Sequence, residues 1–251
     1  MTEINYPPVI HSKLFSKYPE LFFAFSTRNW MDFKNKIKED DDKSDLMLQT
    51  GIKKRFKRFF EFLNISPDKI VTQKQIHSTN INYCESSRHF DNSDGLYTNK
   101  KNIFLIIKAA DCIPIFLYDP ERKVIAGVHS GWKGTHSKIL TKMISEIKNI
   151  YEVQPENLIA YIGPGISCDN YEVSKEVADN FPDESKEFRK GKYYLDLKED
   201  NFNQLINCGF RKENIEVSPF CTYEKNDLLF SYRKEKQNAG RMIGIIGMLE
   251  Y

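Results

Sequence analysis

The sequence predicts an α+β fold, a layered sandwich of mixed β-sheets flanked by helices, and three observations carry that expectation. Short apolar runs of strand length recur at Leu21–Ser26, Ile103–Ile107, Ile113–Tyr118 and Leu158–Ile162. Two longer stretches repeat apolar residues every three or four positions, the pattern of a helix with one buried face. Strands and helices alternate irregularly, which favours a mixed sandwich over a doubly wound parallel sheet. The chain has 251 residues, and large mixed folds of roughly 200–250 residues often share one core, so a single domain over 1–251 is expected.

Taken in order, Leu21–Ser26 is a strand that delivers Thr27 and Arg28 at its end. The stretch Lys34–Ser44 mixes lysines with Glu39, Asp40, Asp41 and Asp42, has few residues able to enter a core, and reads as a solvated, mobile loop. From Leu46 to Leu63 the residues Met47, Ile52, Phe56, Phe59, Phe60 and Leu63 define one helical face, and Ser66-Pro67-Asp68 stops the helix. Lys69–Gln73 and Asn80–Cys84 read as strands on either side of His77. Ile103–Ile107, Ile113–Tyr118 and Lys123–His129 are three more, with the turn Asp119-Pro120-Glu121-Arg122 between the last two. The turn Gly131–Gly134 then leads into a helix whose apolar face carries Ile139, Leu140, Met143, Ile144, Ile147 and Ile150. Leu158–Ile162 is a strand ending in Gly163-Pro164-Gly165, where glycines allow close backbone approach to a ligand. Helices near Ser174–Asn180 and Leu197–Cys208 and strands near Asn214–Val217 and Met242–Leu249 complete the chain.

Composition narrows the function. There are 37 basic and 35 acidic side chains, a net charge of +2, so no global field recruits nucleic acid or an anionic membrane, and a small-molecule substrate is expected. Five cysteines, none closely paired in sequence and odd in number, argue against a disulfide framework and for a reducing, cytoplasmic setting. The N-terminal residues lack the basic start and apolar stretch of a secretion signal, and no run approaches the roughly 18 apolar residues of a membrane span. Oligomeric state is not readable.

Three residues stand in distinctive settings: His77 in Gln75-Ile76-His77-Ser78, Cys112 in Ala110-Asp111-Cys112-Ile113-Pro114, and His129 in His129-Ser130-Gly131-Trp132-Lys133-Gly134. Two imidazoles and a thiolate would fill three corners of a tetrahedron around Zn²⁺ and leave one open, as catalytic zinc sites do. The plain alternative is a free core cysteine and two histidines satisfied elsewhere. Asp111 is a candidate proton carrier beside Cys112, or else a carboxylate that caps a turn. The turn containing Trp132, Lys133 and Gly134 precedes a helix and could offer its N–H groups to an anion, although it is no P-loop. Trp132 could stack on a flat base or be simply packed. Arg28 and Arg241 are candidate phosphate ligands or ordinary surface charges.

These segments, with Ile162-Gly163-Pro164-Gly165-Ile166, Tyr171-Glu172-Val173, Cys221-Thr222-Tyr223, Ser231-Tyr232-Arg233 and Gly240-Arg241, form an ordered set that closely resembles the YfiH/YlmD family. Its members have been called laccase-domain or multicopper polyphenol oxidase proteins, are related to FAMIN, and include a branch described as peptidoglycan editing factors. The resemblance implies a layered α+β domain like the cytotoxic necrotizing factor catalytic domain, and zinc on His77, Cys112 and His129. It implies phosphorolysis of adenosine, inosine and methylthioadenosine, with Arg28 and the turn amides holding phosphate, and deamination of adenosine with Asp111 moving the proton. Copper-dependent phenol oxidation fits less well, since five histidines in all cannot ligate several copper ions. A zinc-stabilised binding protein in cell-wall quality control is a third reading. The chain departs from the family where paired glycines usually follow Arg28, and where Ser130 and Lys133 replace an alanine and an arginine; lysine lacks arginine's two-pronged grip on phosphate. Only Cys168 remains of a usual cysteine pair, and it is not assigned as a ligand.

Overall fold

The computed structural model describes residues 8–30 and 54–250. In chain order the first half holds β1 (Val9–Ile10), β2 (Leu21–Ser26), α1 (Lys54–Phe62), β3 (Ile70–Gln73), β4 (Ile81–Tyr83), β5 (His89–Phe90), β6 (Gly95–Thr98), β7 (Phe104–Ala109), β8 (Ile113–Asp119) and β9 (Val124–Ser130). The second half holds α2 (Trp132–His136), α3 (Ile139–Tyr151), β10 (Ile159–Ile162), β11 (Glu172–Val173), α4 (Lys175–Ala178), β12 (Lys186–Arg189), β13 (Lys192–Leu195), α5 (Leu197–Asn207), β14 (Ile215–Val217), α6 (Tyr232–Glu235) and β15 (Met242–Met248). This is the expected mixed α+β architecture. The expected loop at Lys34–Ser44 and the first part of the helix expected from Leu46 lie outside the described residues. Among those described, no helix is long and apolar enough to cross a membrane.

Two six-stranded mixed sheets stack face to face. The first has the order β1-β2-β15-β7-β3-β5 and the second β14-β10-β8-β9-β6-β4. Between them Phe23 of the first sheet meets Phe116 and Tyr161 of the second edge-on, with centroids 5.0 and 5.1 Å apart, an arrangement that suits the aromatic quadrupoles. β8 and β9 are buried along all seven residues of each, because both faces are covered. Phe116, Tyr118 and Ile125 face the first sheet, while Ile115, Leu117 and Val128 pack with α3 and α5. That double coverage explains why these strands read as continuous apolar runs rather than alternating ones.

α1 covers the first sheet with Phe56, Phe59 and Phe60 buried, as the periodicity predicts. α3 buries Ile139, Leu140, Met143, Ile144 and Ile147, but Ile150, expected on the same face, is 52% exposed. It lies on the last turn of the helix. A small third sheet, β11-β13-β12, was not expected, since its strands are short and largely polar or exposed.

The topology gathers one edge of the second sheet. β9 runs antiparallel to both β8 and β6, so His129 near its end stands beside Pro114 and next to the start of β6. Cys112 immediately precedes β8, and His77 lies in the connection from β3 to β4.

Candidate metal centre and its cavity

One ligand atom from each of His77, Cys112 and His129 can be chosen so that all lie within 4.8 Å of one another; this is the one such His, Cys, Asp or Glu group among the described residues. The Cys112 Sγ is 3.7 Å from His77 Nε2, and the two imidazole rings meet edge-on at 4.9 Å. His77 is exposed, Cys112 half-buried and His129 buried, so the group opens outward from a buried base. At the centre, His77 at φ 60° and Asp111, the neighbour of Cys112, at φ 86° take the left-handed backbone region. Such geometry is costly for non-glycine residues and is tolerated where the surroundings hold it.

At the His77 turn the group that holds it is Asp94, fully buried immediately before β6, a residue the sequence does not single out. Its Oδ1 accepts from the His129 Nδ1 at 2.8 Å and the His77 N–H at 3.1 Å. Its Oδ2 accepts from the N–H groups of Ile76 and Ser78 at 3.2 and 2.7 Å and from the Ser78 hydroxyl at 2.7 Å. One carboxylate thereby fixes the His77 turn and, by engaging Nδ1 of His129, leaves that ring's Nε2 for the centre. Burial pushes the Asp94 carboxyl up, yet the His129 and Ser78 donors outweigh it and hold its pKa at about 2.

The same coupling prepares the thiol. Burial pushes Cys112 up, but the charge of His129 and hydrogen bonds with His129 and His77 overcome it and lower the pKa to about 6. His129 is raised to about 9, because Cys112 and Asp94 outweigh the burial that lowers it. Thiolate is the form that binds metals. The backbone leaves room as well: a Cβ on Gly131 would lie 2.9 Å from the Cys112 Sγ and 3.0 Å from His77 Cδ2. Two imidazole nitrogens, one thiolate and an open side form a donor set that fits zinc with a free position.

The centre forms part of the wall of a cavity of about 1110 Å³. Asp111, Trp132, Lys133 and Arg241 line it, as do Tyr171 and Tyr232. Six cationic side chains face it, those of Lys74, Lys108, Lys133, Arg233, Lys236 and Arg241, against one carboxylate, Asp111, among the described residues of the wall. In a chain with net charge +2 this is a local concentration of positive charge of the kind that draws in anions.

Several expected residues have other settings. Arg28 does not line the cavity. Its guanidinium donates to the Asn226 carbonyl and pairs with Glu235 at 3.0 Å, lying over the Phe230 ring at 4.6 Å, so it holds the α6 segment instead of facing the cavity. The expected turn at Gly131–Gly134 is itself helical, and Gly134 is buried against Ile139 and the His129 carbonyl, away from the cavity. Gly163 and Gly165 approach Pro114 and the Asp111 carbonyl, so their lack of a side chain serves the chain's own packing, where a ligand contact was expected. The Asp111 carboxylate accepts from the Thr222 hydroxyl and the Arg233 N–H, each at 2.6 Å, the backbone-bonding role that the sequence left open. Cys168 is half-buried and unpaired.

Residues 25–249 match the family described as multi-copper polyphenol oxidoreductase laccase. The purine nucleoside phosphorylase YlmD of Bacillus subtilis is 38% identical over 165 residues, 63% of this chain and 59% of the relative. The matched part therefore spans under two thirds of that relative's length. The purine nucleoside phosphorylase YlmD of Geobacillus stearothermophilus is 30% identical over 220 residues, 80% of each chain. The crystal structure of the hypothetical protein YfiH of Bacillus licheniformis superposes with a TM-score of 0.83 at 28% identity, covering 97% of both chains. The chain belongs to the YfiH/YlmD family, whose model carries the multi-copper polyphenol oxidoreductase laccase description.

Proposed function

We propose that this chain is a zinc-dependent purine nucleoside enzyme that carries out phosphorolysis of adenosine, inosine and methylthioadenosine and deamination of adenosine to inosine. The observation that carries the reading is the His77, Cys112 and His129 group opening onto a cavity with six cations and several aromatic rings. Relatives named purine nucleoside phosphorylase support it. His77, Cys112 and His129 hold the zinc, which when bound supplies Lewis acidity at the floor of the cavity.

The chain's own residues do the rest. Trp132, Tyr171 and Tyr232 offer apolar faces to a purine. Lys133, Arg233 and Arg241 gather inorganic phosphate, a role expected of Arg28 that its engagement with Glu235 does not favour. In phosphorolysis a phosphate oxygen bonds to the ribose anomeric carbon as the bond to the purine nitrogen breaks, and the proton of hydrogen phosphate ends on the departing base. In deamination water adds at C6 and ammonia leaves. Asp111, with two hydrogen bonds received and lone pairs to spare, carries a proton from the water to the leaving amino group. A cytoplasmic setting belongs to the same reading, supported by five free cysteines.

Copper-dependent phenol oxidation is the second reading, favoured by the family's description. One three-donor group among the described residues is a poor match to a multicopper cluster. The purified chain, stripped by chelation and restored with zinc or copper, is incubated with the three nucleosides with and without phosphate, and products are separated by chromatography. Free base and ribose 1-phosphate that require zinc and phosphate are expected, with inosine from adenosine. Phenol oxidation with copper alone and no purine turnover would overturn the proposal. A Cys112→Ser variant that keeps its fold and full turnover would remove the metal from the chemistry, whereas loss of turnover with the cellular phenotype kept would favour the binding role in cell-wall quality control.

A further inference from the structure

α2 runs only from Trp132 to His136, far short of the roughly 12–15 residues at which a helix begins to hold itself in water. It nevertheless carries two wall residues of the cavity, Trp132 and Lys133. A ring of buried hydrogen bonds on its inner side fixes it. Ser130 at the end of β9, Thr135 on α2 and Asn201 on α5 are all fully buried. The Ser130 hydroxyl donates to Asn201 Oδ1 at 3.0 Å, and Asn201 Nδ2 donates to the Thr135 hydroxyl at 3.3 Å. The Thr135 hydroxyl, 2.8 Å from that of Ser130, closes the ring as donor. Asn201 Nδ2 also donates to the Leu197 carbonyl at 2.6 Å, and Leu197 lines the cavity. Gln204, further along α5, donates to the Thr135 carbonyl at 3.1 Å.

We propose that Thr135 is a positioning residue of the cavity, its hydroxyl locking α2 at the pitch that sets the Trp132 ring and the Lys133 ammonium against a bound ligand. Both hydroxyls in the ring give one hydrogen bond and receive one, so a slide or roll of α2 breaks two bonds at once. Buried polar groups left unpaired in this way are costly. An apolar contact between β9, α2 and α5 would tolerate small slides, whereas a fully satisfied polar ring specifies one arrangement. Thr135 is the ring's member on α2, and it joins that helix to both β9 and α5. His129 has its own anchor in Asp94, so the lock acts on the ligand wall and not on the metal. The identity of the ligand as a purine nucleoside rests on the functional reading; the lock does not.

The test compares wild type, T135V and T135S as the zinc-loaded full chain. Valine has the shape of threonine without the hydroxyl, and Ser130 still donates to Asn201 and Asn201 to Leu197, so neither remaining member of the ring loses its last partner. Calorimetry with adenosine and with inorganic phosphate should show about threefold to tenfold weaker binding in T135V, the scale of one neutral hydrogen bond. T135S should bind both as wild type does, and zinc affinity, from competition with a chelator, should be the same in all three. The chain has two tryptophans, so labelling with fluorotryptophan gives two fluorine resonances, assigned with W132F. In T135V the Trp132 signal should shift or broaden while that of Trp30 stays. The lock is overturned if T135V melts lower yet keeps the Trp132 signal and ligand affinities of wild type, if both tryptophan signals move together, if zinc affinity falls as far as ligand affinity, or if T135S behaves as T135V. A Trp132 signal that follows the hydroxyl in a chain that neither binds nor turns over nucleosides would uphold the lock and sink the purine reading. Purine phosphorolysis with the Trp132 signal and nucleoside affinity indifferent to T135V would do the reverse.

Discussion

Replacing Asp94 by asparagine keeps the shape of the side chain and removes its charge, and the hydrogen-bond inventory sets the cost. If the amide oxygen faces His129 and the His77 N–H, the NH₂ group faces the N–H groups of Ile76 and Ser78, which now donate to Oδ2. Two backbone donors then lose their acceptor, at about 1–3 kcal/mol each, so about 2–6 kcal/mol of stability is at stake. If the amide flips, its NH₂ meets His129 Nδ1, now 2.8 Å from the carboxylate. The ring must then accept at Nδ1 and carry its proton on Nε2, the atom needed for the metal. Either way zinc affinity should fall about 10–100-fold, the usual scale for losing a partner of a metal-bound histidine. Competition against a chromophoric chelator measures the affinity, and thermal unfolding of the metal-free chain measures the stability. Asp94→Asn with zinc affinity within about threefold of wild type would refute the reasoning.

Gly131→Ala should weaken zinc binding about tenfold with a loss of about 1–3 kcal/mol in stability, because its Cβ would crowd the Cys112 Sγ and His77 ring; the same chelator competition and melting curves check it. Glu20 accepts from the Tyr118 hydroxyl and Lys123 ammonium, each at 2.6 Å. The Lys123 and Tyr118 hydrogen bonds lower its pKa from 4.5 to about 2. A depressed carboxyl pKa contributes stability above 4.5 that is lost as pH falls toward 2. For this partly exposed group the contribution is about 1 kcal/mol, so melting curves of wild type and Glu20→Gln should differ at pH 6 and converge near pH 2. Gln73 is fully buried, and neither of its amide atoms has a hydrogen-bond partner among the described residues. Gln73→Met should therefore stabilise the fold by about 1 kcal/mol in denaturant unfolding, and destabilisation of that size would show that the amide has a partner in solution.

Most of the scaffold is legible in the sequence because its central strands are buried on both faces. The runs at Ile113–Tyr118 and Lys123–His129 correspond to β8 and β9 within a residue. His129 and Cys112 stand out by residue type and flanking motif, but only the register of β8 on β9 sets them at one edge. The third sheet escaped because Lys186–Arg189 alternates charge with an exposed phenylalanine, a pattern shared with loops. Asp94 escaped for a different reason. In Asn92-Ser93-Asp94-Gly95 it reads as a turn, and only tertiary closure brings its carboxylate to His129 and the His77 loop. Arg28 is the opposite case: a cation at a strand end suggests an anion site, but in the structure it pairs with Glu235, more than 200 residues later.

The central claim is that His77, Cys112 and His129 share one zinc ion. Zinc-edge X-ray absorption fine structure on the zinc-loaded chain tests it directly. One sulfur at about 2.3 Å and two imidazole nitrogens at about 2.0–2.1 Å are predicted. A shell with no sulfur, or with several sulfurs, would contradict the account.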